Sequence, residues 1–526
     1  MTAADRAHVD AQLGALIRKE YVQAERALLV LGDTFQFNHA LVRDAVYGGL
    51  LKRRRCELHE RCADWVTGVL GDRLGEYEEI VGYHLEQAAR YHAELGEIDE
   101  KARLLAHRAA DHLAAVGRRA LARGDMPTAA GLLRRARDVL APDEARRLEL
   151  VFDLTEVLVE QGEFAEAERM LDESERQSAG DELGTLEVRL ARMVERFAVA
   201  PESWNDGVRH DLELAIERFD AVDNHVAVAK GWRLLGTVHG AQCRYGEAEH
   251  AVEQTILHAR KAGDSPLELR NLAPFAFIAL AGPMPVAAAI ARCRALITQA
   301  GDDRRTEGVI RCALAQLEAM EGRFAEARGQ YQAARTMLTE LGVKVLAASV
   351  SLNAGPVEML AGDPMAAERA LRSDAAELEG MGERYLLPCV TGYLSQAVLE
   401  QGRFDEADEL AVRCAESSAA DDVEAQVIWR RVRAQIWATH GRRDQATALA
   451  EDAVRLADTT DSPSLRADTL ADFAIVLRDC GLANDAASVA ERALRLYEEK
   501  GNRVAADRLR QSGALAAAPI SVRSAG

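Results

Sequence analysis

The chain has 526 residues, 48% of them apolar but only 5% aromatic, and a formal charge of −20. That length exceeds what one compact core serves, so the chain is either several domains or a repeating array. The acidity argues against a general nucleic-acid binder or a membrane-surface protein. It fits a cytoplasmic chain, and the polar N-terminus lacks the apolar run of a secretion signal. None of the eight cysteines forms a C-x2-C pair. His84 with His92, or His250 with His258, can share a helix face, but no cysteine or carboxylate cluster completes a site. The expectation is buried free thiols, with no metal and no other cofactor.

In chain order, Val9 to Val30 reads as a helix, and Phe35-Gln36-Phe37 within Thr34 to Asn38 reads as a short strand or wing. Next come Phe37-Asn38-His39-Ala40-Leu41-Val42-Arg43-Asp44-Ala45-Val46-Tyr47 and Arg55-Cys56-Glu57-Leu58-His59-Glu60-Arg61-Cys62-Ala63. The spacing of Phe, His, Leu, Arg and Tyr, and then of Arg, His and Ala, resembles the segment after the nucleotide-binding core of bacterial STAND-type regulatory ATPases. Such ATPases occur beside class III adenylate or guanylate cyclase domains or before LuxR-type DNA-binding domains. Glu79-Ile80-Val81-Gly82-Tyr83-His84-Leu85-Glu86-Gln87-Ala88 is similar to the part that bridges a winged helix to a repeat arm in that family. His39, Tyr47 and His59 read as packing between the wing and the first arm helices. Lys52 to Arg55 reads as a solvated face or a contact to an ATPase core, in preference to a DNA contact.

Beyond residue 104 the chain repeats. A turn G-x-[FY]-x-E-A is clear at Gly162-Glu163-Phe164-Ala165-Glu166-Ala167 and again from Gly322 and from Gly402. Worn copies begin at Gly124, Pro201, Cys243, Gly282, Gly362, Gly441 and Gly481, so the ten starts keep a period of about 40 residues. A second glycine series, Gly263, Gly301, Gly342, Gly382 and Gly501, fits helix C-caps. Trp232, Leu235 and Gly236, with Ala248 twelve residues on, are similar to the first helix and turn of a tetratricopeptide repeat (TPR). The uncharged run Leu272 to Ala291 reads as two helices about the Gly282 turn, in preference to a membrane span.

The expected fold is all-α: a right-handed TPR-like helical-hairpin solenoid of about twenty helices from Lys101 to Arg510, with a small N-terminal winged-helix remnant. Its segments are 1–70 winged-helix-like, 71–104 connecting helices, 105–512 repeats and 513–526 a flexible tail. None of the lysines follows a glycine, so no phosphate-cradling G-x4-G-K-[ST] loop exists. The resemblance therefore covers the arm and lacks the ATPase core, as a separate gene product or a truncated frame. No catalytic residue is expected. The expected role is a regulatory arm whose concave face binds a protein, a peptide or a small effector, with a separate ATPase or cyclase core as a further partner, no membrane and, on this reading, no nucleic acid; the alternatives are a subunit or fragment of such an ATPase or cyclase regulator, or a transcriptional regulator that sets the winged remnant on DNA. Alignment on the turns puts Thr237, Gln316, Gln396 and Gln435 at one inward position, with Arg233 and Arg431 a helical turn earlier. The helix expected over Pro266 to Ala281, kinked at Pro274, interrupts this polar track with Leu272.

Overall fold

A computed structural model describes residues 3–25, 34–96, 99–142, 144–201, 206–513 and 515. The chain forms two compact units, Met1–Gly117 with Leu132–Glu144 and Arg118–Gly131 with Ala145–Gly526. Of the expected tail, 514 and 516–526 lie outside the described residues.

In the first unit the N-terminal helix runs Ala3–Arg18 and stops well short of Val30. Glu20 takes a left-handed backbone with φ 58°, and Asn38 Nδ2 donates to its carbonyl at 2.6 Å. Tyr21 and Val22 suit a strand better than a helix. Val22–Glu25 accordingly pairs antiparallel with Thr34–Phe37, Val22 opposite Phe37. The wing expected near Phe35 is this hairpin, and the end of the expected helix, 26–30, lies outside the described residues. Helices Lys52–Leu70 and Glu78–Ala93 then pack Cys56, Ala63, Val66 and Leu70 with Val81, Leu85 and Ala88.

From Glu100 to Gln511 the described residues form twenty-three α-helices. The excess over twenty comes partly from two first helices that are each in two pieces. The helix expected over Pro266 to Ala281 is Ser265–Arg270 followed by Ala273–Ala281. The break falls at Asn271 and Leu272, so Pro274 sits in the first turn of the second piece, where its missing N–H costs no helical bond. Lys344–Ala347 and Ser351–Ala361 repeat the device. There the buried Asp374 accepts from Ser351 N at 2.8 Å and is itself held by Arg335 at 2.7 and 2.9 Å. No helix among the described residues is long and apolar enough to cross a membrane.

The turns behave as their residues dictate. Gly124, Gly162, Gly322, Gly362, Gly402, Gly441 and Gly481 all take φ between 72° and 85°, the left-handed C′ geometry that ends a helix. Cys243 adopts φ 52° in the same place despite its side chain. Gly282 differs, with φ −78° and ψ −172°. Pro283 follows it, and a residue before proline is pushed to extended backbone.

In the second unit several of the earlier turns meet helix ends about five repeats further along. Lys500 is 1% exposed, and its Nζ donates to the carbonyls of Ala279 at 3.0 Å, Gly282 at 2.7 Å and Met284 at 2.7 Å. Burial lowers its pKa to about 8, so at neutral pH it remains an ammonium with a proton for each carbonyl. Arg244, at the N-cap of Tyr245–Ala262, makes no side-chain cap. The Asp461 carboxylate, 216 residues away, accepts from Tyr245 N and 215 away from Gly246 N, both at 2.8 Å. A carboxylate there satisfies orphan amides and opposes the helix dipole. Met126 N donates to Leu341 O at 3.2 Å, and Arg384 N to Ala198 O at 2.7 Å. Successive coils of the second unit are therefore in contact.

Ala327 and Ala407 are both 0% exposed, each one turn into the second helix of its hairpin. Leucine at either site has no room, so Ala327→Leu or Ala407→Leu should each cost about 1–3 kcal/mol. Chemical denaturation reads this as a lowered midpoint at unchanged slope.

Candidate functional site

Counted from the turn, Glu156, Thr237, Gln316, Gln396 and Gln435 occupy one position, six residues before the turn residue. They lie on first helices: Val151–Glu160, His225–Ala241, Arg304–Met320, Leu386–Leu399 and Val423–Thr439. Two groups of charges lie on and around these helices.

The first group is built on Val151–Glu160. Its Asp153 accepts from Arg118 Nε at 2.7 Å and pairs with Lys230 at 3.3 Å. Burial alone would raise the Asp153 pKa, but the Lys230 and Arg118 charges outweigh it and hold the carboxyl at about 2. Glu156, 6% exposed, pairs with Arg233 and, at 3.2 Å, with Arg270. Glu160 pairs with Arg305, 145 residues away. These bridges join helices several repeats apart, across the coil. Burial, together with the Arg270 and Arg305 charges, pulls the Arg233 pKa down to about 9, still a cation at neutral pH. Three carboxylates here face five cations: Arg118, Lys230, Arg233, Arg270 and Arg305.

The second group is acidic and lies later in the chain. Tyr393 donates to Glu424 at 2.5 Å and Tyr497 to Asp468 at 2.6 Å. Cys389 Sγ sits 3.7 and 3.8 Å from the Asp422 carboxylate oxygens. Arg431 pairs with Asp472 at 2.7 Å. Burial raises the Glu424 and Asp468 carboxyls and lifts Asp422 to about 7. Glu383 is also lifted to about 7, although it accepts from the amides of Tyr385, Leu386 and Leu387.

The residues picked out from sequence divide three ways. Thr237, Gln316, Gln396 and Gln435 are half-buried, and the side-chain amides of the three glutamines have no hydrogen-bond partner among the described residues. Arg233 and Arg431 are already committed to Glu156 and Asp472, so they can hold a ligand only by exchanging partners. Leu272 is 2% exposed and packs with Tyr245, Phe275 and Ile256 in an apolar core. Glu156 was missed from sequence, although it shares the glutamines' position six residues before the turn. Arg270 and Arg305 lie off that register, and only the cross-coil geometry brings them in. Two surface hollows, of about 380 Å³ beside Thr185 and Arg218 and about 410 Å³ beside Phe404 and His440, touch neither group.

In the first unit, His59 accepts or donates between Tyr47 Oη at 2.8 Å and His84 Nδ1 at 2.7 Å. Tyr47 and His59 therefore pack between helices as expected, whereas His39 is exposed. The basic run is drawn onto its own surroundings. Lys52 pairs with Glu94 at 2.9 Å, Arg54 with Glu57 at 2.9 Å, and Arg55 lies over the Tyr47 ring. His250 stacks edge-on with Trp232 and does not join His258. His258 instead lies beside His225 and Asp220, so a carboxylate does complete a histidine cluster, contrary to the expectation from spacing.

No protein-family model matches the chain, and no curated protein does. Its fold is similar to that of a Rap protein solved in complex with Competence and Sporulation Factor. The TM-score is 0.50 at 14% identity, over 68% of this chain and 100% of that one. Weaker likenesses are to the Cut9–Hcn1 hetero-tetramer of the APC/C (TM-score 0.40, 13% identity, 90% of this chain and 92% of that one) and to yeast Tom70 (0.32, 10%, 88% and 96%). The chain is thus an all-α, TPR-like helical-hairpin solenoid.

The raised carboxyls set a pH test. A carboxyl whose folded pKa lies above its unfolded value binds its proton more tightly when folded, so its contribution to stability falls as pH rises between the two. For Asp422 that window runs from 3.8 to about 7. Asp422→Asn keeps an acceptor for Ala425 N and never ionises. Its stability relative to the parent should rise across that window by about 4 kcal/mol and level off above it. Denaturation midpoints of both proteins from pH 4.5 to 8 measure this.

Proposed function

We propose that this chain is a non-enzymatic interaction arm whose inner repeat surface takes an extended segment of a protein or peptide, or a small effector bearing both charges. The observation that carries the reading is the division of that surface. A cationic group around Arg233, Arg270 and Arg305 and an acidic group of Asp422, Glu424, Asp468 and Asp472 lie on different first helices. The open amides of Gln316, Gln396 and Gln435 lie on helices of the same series. Amides can bond an extended backbone, and guanidinium groups a carboxylate. The likeness to a Rap protein complexed with a factor agrees with such a use of the fold.

The finer reading is a regulatory arm of the bacterial STAND type, working with an ATPase or cyclase core carried elsewhere. It rests on the Phe37 to Tyr47, Arg55 to Ala63 and Glu79 to Ala88 motifs. These fall on the hairpin and the three helices that follow it. On this reading Arg233 and Gln316 anchor the ligand near repeats four to six, and Arg233 releases Glu156 as it does so.

A panel of short peptides with opposite terminal charges, screened by fluorescence anisotropy, tests the proposal. Arg233→Ala and Gln316→Ala should weaken the best binder at least tenfold, and Glu424→Gln should weaken those with a basic end. Binding undiminished in all three folded variants would place the site elsewhere.

A further inference from the structure

Three side chains from three helices converge at the joint between the third and fourth repeats. Asp220 is the last residue of the helix Asp206–Asp220, and His225 is the first of His225–Ala241. His258 comes from the next helix, Tyr245–Ala262. One ligand atom from each, two imidazole nitrogens and a carboxylate oxygen, lie within 4.8 Å of one another. The imidazole rings stand edge to face with centroids 5.2 Å apart.

One ring nitrogen of each histidine is unsatisfied. His258 is 7% exposed, and Nδ1 of both His225 and His258 is buried with no hydrogen-bond partner. A buried ring nitrogen without a partner is costly, and a native structure does not carry two side by side without a reason. The backbone meanwhile fixes the joint. Asn224 N donates to Phe219 O at 3.0 Å and His225 N to Asp223 O at 3.0 Å, with Asp223 at φ 55°. Asn224 caps the helix by accepting from Ala227 N at 3.1 Å. The two ends that carry Asp220 and His225 are thus held together before any ligand arrives.

We infer that Asp220, His225 and His258 form a binding site for a borderline divalent cation of the zinc class, which clamps three helices at this joint. Two imidazoles and one carboxylate suit zinc, with a water or an incoming carboxylate at the fourth position. Calcium and magnesium prefer all-oxygen sites. Tetrahedral zinc with bonds near 2.0 Å needs donors about 3.4 Å apart, which a rotation of the exposed Asp220 carboxylate and small ring movements supply. The charges that face His258 are Lys261, His225 and Asp220. Burial first, then Lys261 and His225, lower the His258 pKa against the pull of Asp220. Lys261 opposes a cation, and Asp220 offsets it.

The test uses the untagged full chain stripped with a chelator, with zinc and cobalt(II) as probes. Equilibrium dialysis should show one zinc per chain at micromolar or tighter affinity, with a rise in the melting temperature. Cobalt(II) should give the visible bands of a tetrahedral nitrogen–oxygen site. Asp220→Asn, on the surface, and His225→Asn should each weaken zinc at least tenfold while the far-ultraviolet circular dichroism is unchanged. His258→Asn should do the same if it folds, and the first two variants decide the matter without it. Zinc uptake equal in the Asp220→Asn/His225→Asn double variant and the parent, a thiolate charge-transfer band with cobalt, or no stoichiometric uptake would each overturn the assignment.

Discussion

One lysine shows the constraint on which the second unit depends. The sequence Gly282-Pro283-Met284-Pro285 cannot make the left-handed turn that its sister repeats make. The proline forces Gly282 into extended backbone and leaves carbonyls of the turn without helical partners. Buried carbonyls must be paired, and Lys500 pairs three of them from 216 to 221 residues away. The Asp461 cap on Tyr245–Ala262 follows the same logic, because Arg244 cannot accept from the first amides of that helix. At these two turns local sequence leaves polar groups unpaired, and the next coil pairs them.

This changes the physics expected of a repeat protein. A simple array is stabilised by each unit and its nearest neighbours. Here salt bridges such as Glu160 with Arg305 and Glu156 with Arg270 span several repeats. They tie first helices together across the coil and couple distant parts of the unit. They also determine what a ligand can find there. Arg233 is available only if Glu156 is released, and in the acidic group burial lifts Asp422 to about 7.

The repeat was plain in the sequence because its cause is local. Glycine at the turn and alanine at the crossing are demanded by backbone geometry, and both recur every forty residues or so. Cys243 at φ 52° shows that the geometry persists where the glycine is lost. The hairpin at Tyr21–Val22 was read as helix because its partner strand, Thr34–Phe37, is what decides it. Pro274 suggested a kink, but a proline fits the first turn of a helix, so the chain broke just before it. The position six residues before the turn was legible for Thr237 and the glutamines, which follow the period, and Glu156 at the same position was missed. Arg270, Arg305 and the cluster of Asp220, His225 and His258 were not legible, because they meet through packing and not through spacing.

The central claim is that contacts between coils, and not only between neighbouring hairpins, hold the second unit together. Lys500→Met keeps the length and apolar stem of the side chain and removes the three donors. Chemical denaturation followed together with amide hydrogen exchange is the direct measurement. The variant should lose about 2–4 kcal/mol, the cost of stranding buried carbonyls. Protection should fall together around residues 245–290 and 460–500. An unchanged midpoint, or loss of protection confined to the helix that carries residue 500, would contradict the account.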